Sequence, residues 1–144
     1  MVEFAETFAY GPTRVQLEKK DGPGFLRFKR LLSEHSATGS ANTLLGIQRD
    51  RPSIYDLSEQ MTSLAVPTLI IAGDEDRPCL APSGFMKRTI ASAGLCVMPN
   101  CGHAINLEDP DGFNRVISDF IARVDNGRWP SRNRRALLYG RSFG

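Results

Sequence analysis

The sequence of 144 residues has the length and composition of one globular domain, since a domain usually takes about 100 to 200 residues. Its 41% hydrophobic and 24% charged residues exclude collagen-like, disordered and coiled-coil chains, and its longest apolar stretch, residues 64–72, is too short for a membrane helix of about 20 residues. The net charge of +2 conceals a basic end, because residues 125–144 carry +4 and the rest carries −2; we expect a solvated extension there, with neither nucleic acid nor a membrane as partner.

The first 60 residues show helical patterns and no convincing strand. Apolar residues recur at helical spacing over residues 2–8, 25–32 and 54–64. Turn-forming glycines and prolines separate these stretches. We therefore predict a helical segment over residues 1–60.

A strand, a helix and a second strand follow this segment. Residues 66–72 form an apolar, β-branched run that ends at Gly73, which is typical of a strand covered on both faces. Residues 82–93 favour a helix with a proline near its first turn, and residues 95–98 supply the second strand. Because such a unit of about 30 residues places its two strands in parallel, the sequence predicts the α/β class.

The clearest helix of the sequence begins after the second strand. Asp109 fits its N-cap with Pro110 at the first helical position, and apolar residues recur at three- and four-residue spacing through Val124. We expect this apolar stripe to pack on the sheet. Residues 61–125 are thus interpreted as one α/β unit and residues 126–144 as a basic tail. Two parallel strands do not make a stable sheet by themselves, so we expect further strands to complete it.

Polar side chains follow both predicted strands at the point where each strand ends. Asp74 and Asp76 come after the first strand, and His103 comes after the second. The carboxyl ends of parallel strands meet at one edge of a sheet, where ligands and catalytic groups gather. A carboxylate close to an imidazole fixes its tautomer and stabilises its charged form. The sequence therefore predicts a carboxylate–histidine pair suited to general-base catalysis.

Two motifs resemble the C-terminal part of the α/β-hydrolase superfamily. The first is Val-Pro-Thr-Leu-Ile-Ile-Ala-Gly-Asp-Glu-Asp at residues 66–76, and the second is Met-Pro-Asn-Cys-Gly-His-Ala-Ile-Asn-Leu-Glu-Asp-Pro at residues 98–110. The resemblance implies that Asp76 is the acid and His103 the base of a Ser-Asp-His triad, with Asp74 as the acid if the loop register differs. It also implies that the preceding helices occupy the place of a cap over the active site.

The nucleophile of such a triad is missing from the sequence. In this fold a serine on a G-x-S-x-G turn precedes the acid, whereas the nearest approach here, Thr-Gly-Ser-Ala-Asn at residues 38–42, lacks the flanking glycines. The oxyanion-hole segment of the family is absent as well. We therefore expect the chain alone to be inactive. In the complete protein, the resemblance implies hydrolysis of an ester or related bond in a small molecule, without a metal or cofactor.

Two other functions are open at this point. Asp74, Glu75 and Asp76 after an apolar strand resemble the D-x-D loop of magnesium-dependent phosphatases, in which an aspartate attacks phosphorus. Against this reading, the lysine and the second acidic loop of that class are not recognisable. Alternatively, the chain is a truncated or split product whose unpaired strand edge binds a complementary fragment or a second copy.

The three cysteines favour a reducing compartment. Cys79, Cys96 and Cys101 are an odd number, which is typical of reduced thiols that pack as small apolar residues. The spacing of Cys96, Cys101 and His103 does not match a zinc site. The first residues lack the pattern of a secretory signal, so we expect a cytoplasmic protein.

Two features of the helical segment bear on a substrate cavity. We interpret His35 as a surface or packing residue. Residues 37–47 include several small and apolar side chains, and the sequence leaves open whether these line a cavity beneath the cap or pack as a simple helix.

Overall fold

The computed structural model describes residues 1–133, which form a two-stranded parallel sheet with helices before, between and after its strands. The strands are β1, Thr68–Gly73, and β2, Ala93–Met98, paired in register from one end to the other. The predicted α/β class and the two parallel strands are therefore confirmed. The first strand begins two residues later than predicted, and the second begins two residues earlier.

The chain before the sheet is helical, as predicted, and its described residues contain no strand. Its α-helices are α1, Val2–Ala9; α2, Val15–Lys20; α3, Gly22–Ser33; α4, Ala37–Thr43; and α5, Ser58–Thr62. Two 3₁₀ turns, Pro12–Arg14 and Ile54–Leu57, and a π-helical turn, Leu44–Gln48, lie between them. Across residues 1–133, no helix combines the length and apolar character that crossing a bilayer requires.

Neither α2 nor α4 carries an apolar stripe, so no periodic pattern predicts α2, and α4 lies in the stretch 37–47 for which a simple helix was one of the two open interpretations. The six residues of α2 bury one apolar side chain, Leu17, and the Ala-Thr-Gly-Ser-Ala-Asn-Thr sequence of α4 buries none. A side-chain cap starts α4 instead, since the Ser36 hydroxyl accepts a hydrogen bond from the Gly39 N–H at 3.1 Å. Such caps are local signals that an apolar periodicity does not reveal.

The helix that connects the strands, α6, spans Arg77–Thr89 and corrects the prediction of a helix over residues 82–93. Asp76 is its N-cap and Pro78 lies in its first turn, so the start signal belongs to Pro78 rather than to Pro82. Pro82 lies inside the helix, where it has no N–H to donate to the carbonyl four residues back. The helix ends at Thr89 because Ile90 already has an extended backbone, and β2 begins at Ala93.

Two helices follow β2, the single turn α7, Ile105–Glu108, and the long helix α8, Pro110–Asp125. The predicted cap of α8 is confirmed, since Asp109 Oδ1 accepts a hydrogen bond from the Gly112 N–H at 3.0 Å. The predicted first helical position, Pro110, is confirmed as well.

The apolar stripe of α8 packs on the sheet as expected near its start, but it is only partly covered further along. Phe113 packs against a buried cluster that includes Met98, and Phe120 lies edge-to-face against Trp129 at 4.8 Å between ring centroids. Ile121, in contrast, is 50% exposed. A sheet of two strands offers too little surface to cover a helix of 16 residues.

The described start of the basic tail folds back on the protein, which corrects the expected solvated extension. Trp129 Nε1 donates a hydrogen bond to the Ser92 carbonyl at 2.7 Å, and the Arg132 guanidinium donates to two backbone carbonyls at the end of α6. Gly94 makes room for the indole, because a Cβ there would lie 2.6 Å from the ring. Residues 134–144 of the predicted tail lie outside the described residues.

Replacing Trp129 by Ala is expected to lower the free energy of unfolding by about 2 kcal/mol, because the change removes a half-buried indole and its hydrogen bond. Trp129→Phe keeps most of the ring contact and loses the hydrogen bond, so we expect a loss of about 1 kcal/mol. Urea unfolding followed by circular dichroism measures both values. Equal stability of the wild type and the Ala variant would contradict the observed docking of the tail.

Candidate active site

Two loops at the carboxyl ends of β1 and β2 lie against each other. The Asp74 N–H donates a hydrogen bond to the Met98 carbonyl at 3.0 Å, and the Glu75 N–H donates to the Cys101 carbonyl at 2.9 Å. Gly73 permits this approach, because a Cβ at that position would lie 2.1 Å from the Cys101 carbonyl oxygen. The loops that carry the predicted site residues are therefore in direct contact.

Asp76 and His103 meet across these loops. His103 Nδ1 lies 2.7 Å from Asp76 Oδ2, within hydrogen-bond distance. The Asp76 side chain is 5% exposed, whereas that of His103 is 48% exposed. A carboxylate only accepts hydrogen bonds, so this contact assigns the proton of the neutral ring to Nδ1. The other ring nitrogen, Nε2, is then free to accept a proton from a hydroxyl group.

The three acidic residues after β1 have three different partners. Asp74 Oδ1 accepts a hydrogen bond from the Cys101 N–H at 3.1 Å, and Glu75 Oε2 accepts one from Gln16 Nε2 at 2.6 Å. Only Asp76 contacts the histidine. This arrangement disfavours Asp74 as the acid, and it disfavours a shared magnesium site of the phosphatase type because the carboxylates do not converge.

Cys79 lies beside the Asp76–His103 pair, which the sequence analysis did not anticipate. Its Sγ is 3.8 Å from His103 Nδ1. Burial, followed by the neighbouring Asp76 carboxylate, raises the pKa of the Cys79 thiol to about 11, so the thiol stays protonated at neutral pH. It also approaches the ring nitrogen that Asp76 already occupies. Both facts disfavour Cys79 as a nucleophile activated by His103.

Among residues 1–133, one set of side chains has the geometry to hold a metal ion. The ligand atoms of Asp76, Cys79 and His103 all lie within 4.8 Å of one another. A metal bound to Nδ1 would have to replace the proton that His103 shares with Asp76. A metal held through Nδ1 would therefore exclude the hydrogen bond between His103 and Asp76.

The helical segment contacts the same loops. The His103 N–H donates a hydrogen bond to the Thr13 carbonyl at 3.3 Å, and Gln16 reaches Glu75 as described above. Ala104 packs against the buried cluster that contains Leu17. Helices α1 to α3 are thus attached to the strand ends through polar and apolar contacts.

An open groove of about 880 Å³ lies between these helices and His103. Four apolar side chains line it, namely Phe4, Phe8, Leu32 and Leu44. His35 also lines this groove, and its side chain is exposed, in agreement with its interpretation as a surface residue. Part of the stretch 37–47 lines the groove as well, and residues 37–43 of it form α4, so this stretch is both helical and next to the groove. Of the described residues at the groove, none is a lysine, an arginine or an acid.

The sequence is similar to several hydrolases over part of its length. It is 35% identical over 75 residues to monoacylglycerol lipase ABHD6 of Mus musculus, which is 51% of this chain and 22% of that protein. It is 31% identical over 107 residues to the AB hydrolase superfamily protein YisY of Bacillus subtilis, which is 72% of this chain and 37% of that protein. It is 33% identical over 82 residues to 2-hydroxy-6-oxo-6-phenylhexa-2,4-dienoate hydrolase of Burkholderia cepacia, which is 56% of this chain and 29% of that protein.

The fold resembles a solved structure over a larger share of the chain. The structure of MenH from S. aureus aligns with a TM-score of 0.74 at 22% identity, covering 83% of this chain and 44% of that one. No protein-family model matches the chain. The chain thus spans less than half the length of the proteins that it resembles.

Replacing Asp76 by Ala is expected to release the His103 ring from a single tautomer. The wild-type ring should carry its proton at Nδ1, because Asp76 accepts it there; without that acceptor the Nε2-protonated form becomes populated. Nitrogen-15 spectra of the two histidine rings measure the tautomers, and His35 serves as an internal reference. Asp111→Asn, an exposed change on α8, is the control and should leave His103 unchanged. A similar shift in both variants would contradict the assignment of Asp76.

Proposed function

The chain carries the C-terminal part of an α/β-hydrolase fold, and from this premise we propose that Asp76 and His103 are the acid and the base of a Ser-Asp-His triad. The triad would hydrolyse an ester or a related bond in a small molecule. The observation that carries the proposal is the 2.7 Å contact between His103 Nδ1 and buried Asp76. It leaves Nε2 available on a half-exposed ring that lines the groove.

The proposed mechanism uses the two ring nitrogens for different tasks. Nε2 of His103 takes the proton of a serine hydroxyl while the serine oxygen forms a bond to the substrate carbonyl carbon. The imidazolium then gives this proton to the leaving group as the bond to that group breaks. Asp76 holds Nδ1–H throughout and stabilises the positive charge on the ring. A water molecule repeats the same steps to release the acyl group.

The serine and the oxyanion hole have no counterpart in this sequence. Without a serine, His103 has no proton to remove in the attacking step. Without oriented N–H donors the oxyanion is not stabilised, and one such donor contributes about 2.7 to 4 kcal/mol to catalysis. We therefore propose that the chain alone is inactive and that it supplies the acid, the base and the cap to a core that carries the nucleophile.

The groove supports an apolar, uncharged group as the part of the substrate that lies beside His103. Its phenylalanines and leucines favour burial of apolar surface, and none of the described residues that line it offers a lysine or arginine to an anion. The relatives differ in the substrate that their names give. One is named as a monoacylglycerol lipase and another as a hydrolase of 2-hydroxy-6-oxo-6-phenylhexa-2,4-dienoate. They support the hydrolase class without selecting one substrate. We also propose a cytoplasmic location, which the odd number of thiols supports.

A second proposal concerns a partner, and it starts from the free edge of β1. Thr68 and Asp74 donate their N–H groups to carbonyls on the β2 side, at 3.4 and 3.0 Å. Because these groups alternate along a strand, those of Leu69 and Ile71 point to the opposite edge, where no described strand pairs. We propose that a complementary segment of an α/β-hydrolase core, with the nucleophile turn, pairs with this edge. Exposed Val66 lies next to it and adds apolar surface.

The catalytic proposal is tested with the chain alone and with a chimera. The purified chain should hydrolyse activated esters no faster than buffer. A chimera in which the 107 matched residues replace those of the Bacillus subtilis relative should be active, and Asp76→Asn should lower its turnover by about four orders of magnitude. Asp111→Asn, an exposed change on α8, is the control. An active, folded chimera that tolerates Asp76→Asn would falsify the triad assignment.

The partner proposal is tested by mixing the chain with the part of the Bacillus subtilis relative that lies outside the match. We expect a one-to-one complex by sedimentation. Leu69→Pro should weaken it at least about ten-fold because it removes an N–H group from the free edge, while Leu69→Ala keeps that group and serves as the matched control. A chain that remains monomeric in the mixture, or that only pairs with itself, would refute the proposal.

A further inference from the structure

We propose that Glu108 is the positioning residue that fixes the backbone on both sides of His103. Its carboxylate accepts hydrogen bonds from the Gly102 N–H through Oε2 and from the Ala104 N–H through Oε1, the latter at 3.0 Å. These residues flank His103 directly. The importance of this arrangement for catalysis rests on the proposed function of His103 as the base.

The single turn α7 brings Glu108 back under the histidine loop. The N–H groups of Leu107 and Glu108 both donate to the Ala104 carbonyl, at 2.8 and 2.9 Å, so the chain reverses within four residues. This reversal places the Glu108 carboxylate against the loop that contains His103, five residues earlier in the chain. Glu108 is 6% exposed, and a carboxylate so buried requires hydrogen-bond donors. The two flanking N–H groups are such donors.

Three successive N–H groups of the loop thereby have hydrogen-bond acceptors, which lie on two sides of the loop. Those of Gly102 and Ala104 bind Glu108, whereas that of His103 binds the Thr13 carbonyl in the cap. The loop is therefore held between the cap and α7, and each of these three N–H groups has a hydrogen-bond acceptor in this conformation. A Cβ at Gly102 would lie 3.2 Å from both the Glu108 carboxylate and the Thr13 carbonyl, so the position is close-packed as well.

Both carboxylate oxygens are needed for this contact. A glutamine at position 108 has one oxygen, and its NH₂ group would face an N–H donor instead of accepting from it. One flanking peptide would then lose its acceptor and would be free to rotate. Since the His103 ring is attached between the two peptides, we expect this rotation to disturb the contact of Nδ1 with Asp76.

The test uses the full chain labelled with nitrogen-15, in the wild type and in Glu108→Gln. Amide exchange of Gly102 and Ala104 should accelerate at least about ten-fold in the variant, as expected for loss of a charge-assisted hydrogen bond. The His103 ring should change from the Nδ1-protonated form to a mixture of tautomers. His35 is the reference within the molecule, and Asp111→Asn, which removes one exposed carboxylate nearby, should leave all these signals unchanged.

The outcomes separate positioning from a purely structural role. Faster amide exchange with an unchanged His103 tautomer would overturn the proposal, because the loop would then move without affecting the ring. If Glu108→Gln does not fold, Glu108→Asp replaces it, because it keeps the charge but is one methylene too short to reach both N–H groups. The amide exchange of the two flanking residues and the tautomer of His103 are then measured in that variant. Neither signal depends on turnover, so failure here is distinguishable from failure of the triad in the chimera.

Discussion

The contact between the two loops at the strand ends is the constraint on which the site depends. Parallel pairing places Gly73 opposite Met98, and the next residues of both strands continue side by side. A side chain at position 73 would collide with the backbone of the second loop. With glycine there, the loops approach until the carboxylate at position 76 reaches the ring at position 103. The contact between the Asp76 carboxylate and the His103 ring therefore depends on the backbone packing of the two loops.

The same loops connect the site to the helices of the first 60 residues. The Thr13 carbonyl accepts a hydrogen bond from the His103 N–H, and Gln16 donates one to Glu75, the neighbour of Asp76. Ala104 packs against an apolar cluster of the same helices. The position of these helices and the backbone at His103 therefore share contacts, one of them through the His103 N–H group.

The features that could be predicted from the sequence are those with strong local signals. Two such features are the apolar, β-branched run of β1 and the Asp109-Pro110 start of α8. Both could be predicted because each signal lies within a few neighbouring residues. The start of α6 was predicted at the wrong residue because both Pro78 and Pro82 fit the first turn of a helix. The structure shows that Pro78 is the one in the first turn. The pairing of Asp76 with His103 followed from topology together with the family resemblance.

The residues that the sequence did not reveal act across long separations. Gln16 and Glu75 are 59 residues apart, and the side of a helix on which His35 lies depends on how that helix docks. Cys79 reaches the site only because α6 begins early enough to place its first turn there. Periodicity and composition do not contain such information, since the tertiary packing that brings these groups together is absent from a local pattern.

The position of Asp76 as the N-cap of α6 has a consequence for how the chain tolerates changes in length. Only two residues separate Gly73 from Asp76, and the helix starts immediately afterwards. Because each residue of an α-helix advances by about 100° around its axis, a single insertion or deletion here would either rotate α6 against the sheet or carry the carboxylate out of reach. This short connection is thus the place where divergent descendants of the sequence should keep a constant number of residues, even where the residue types themselves vary.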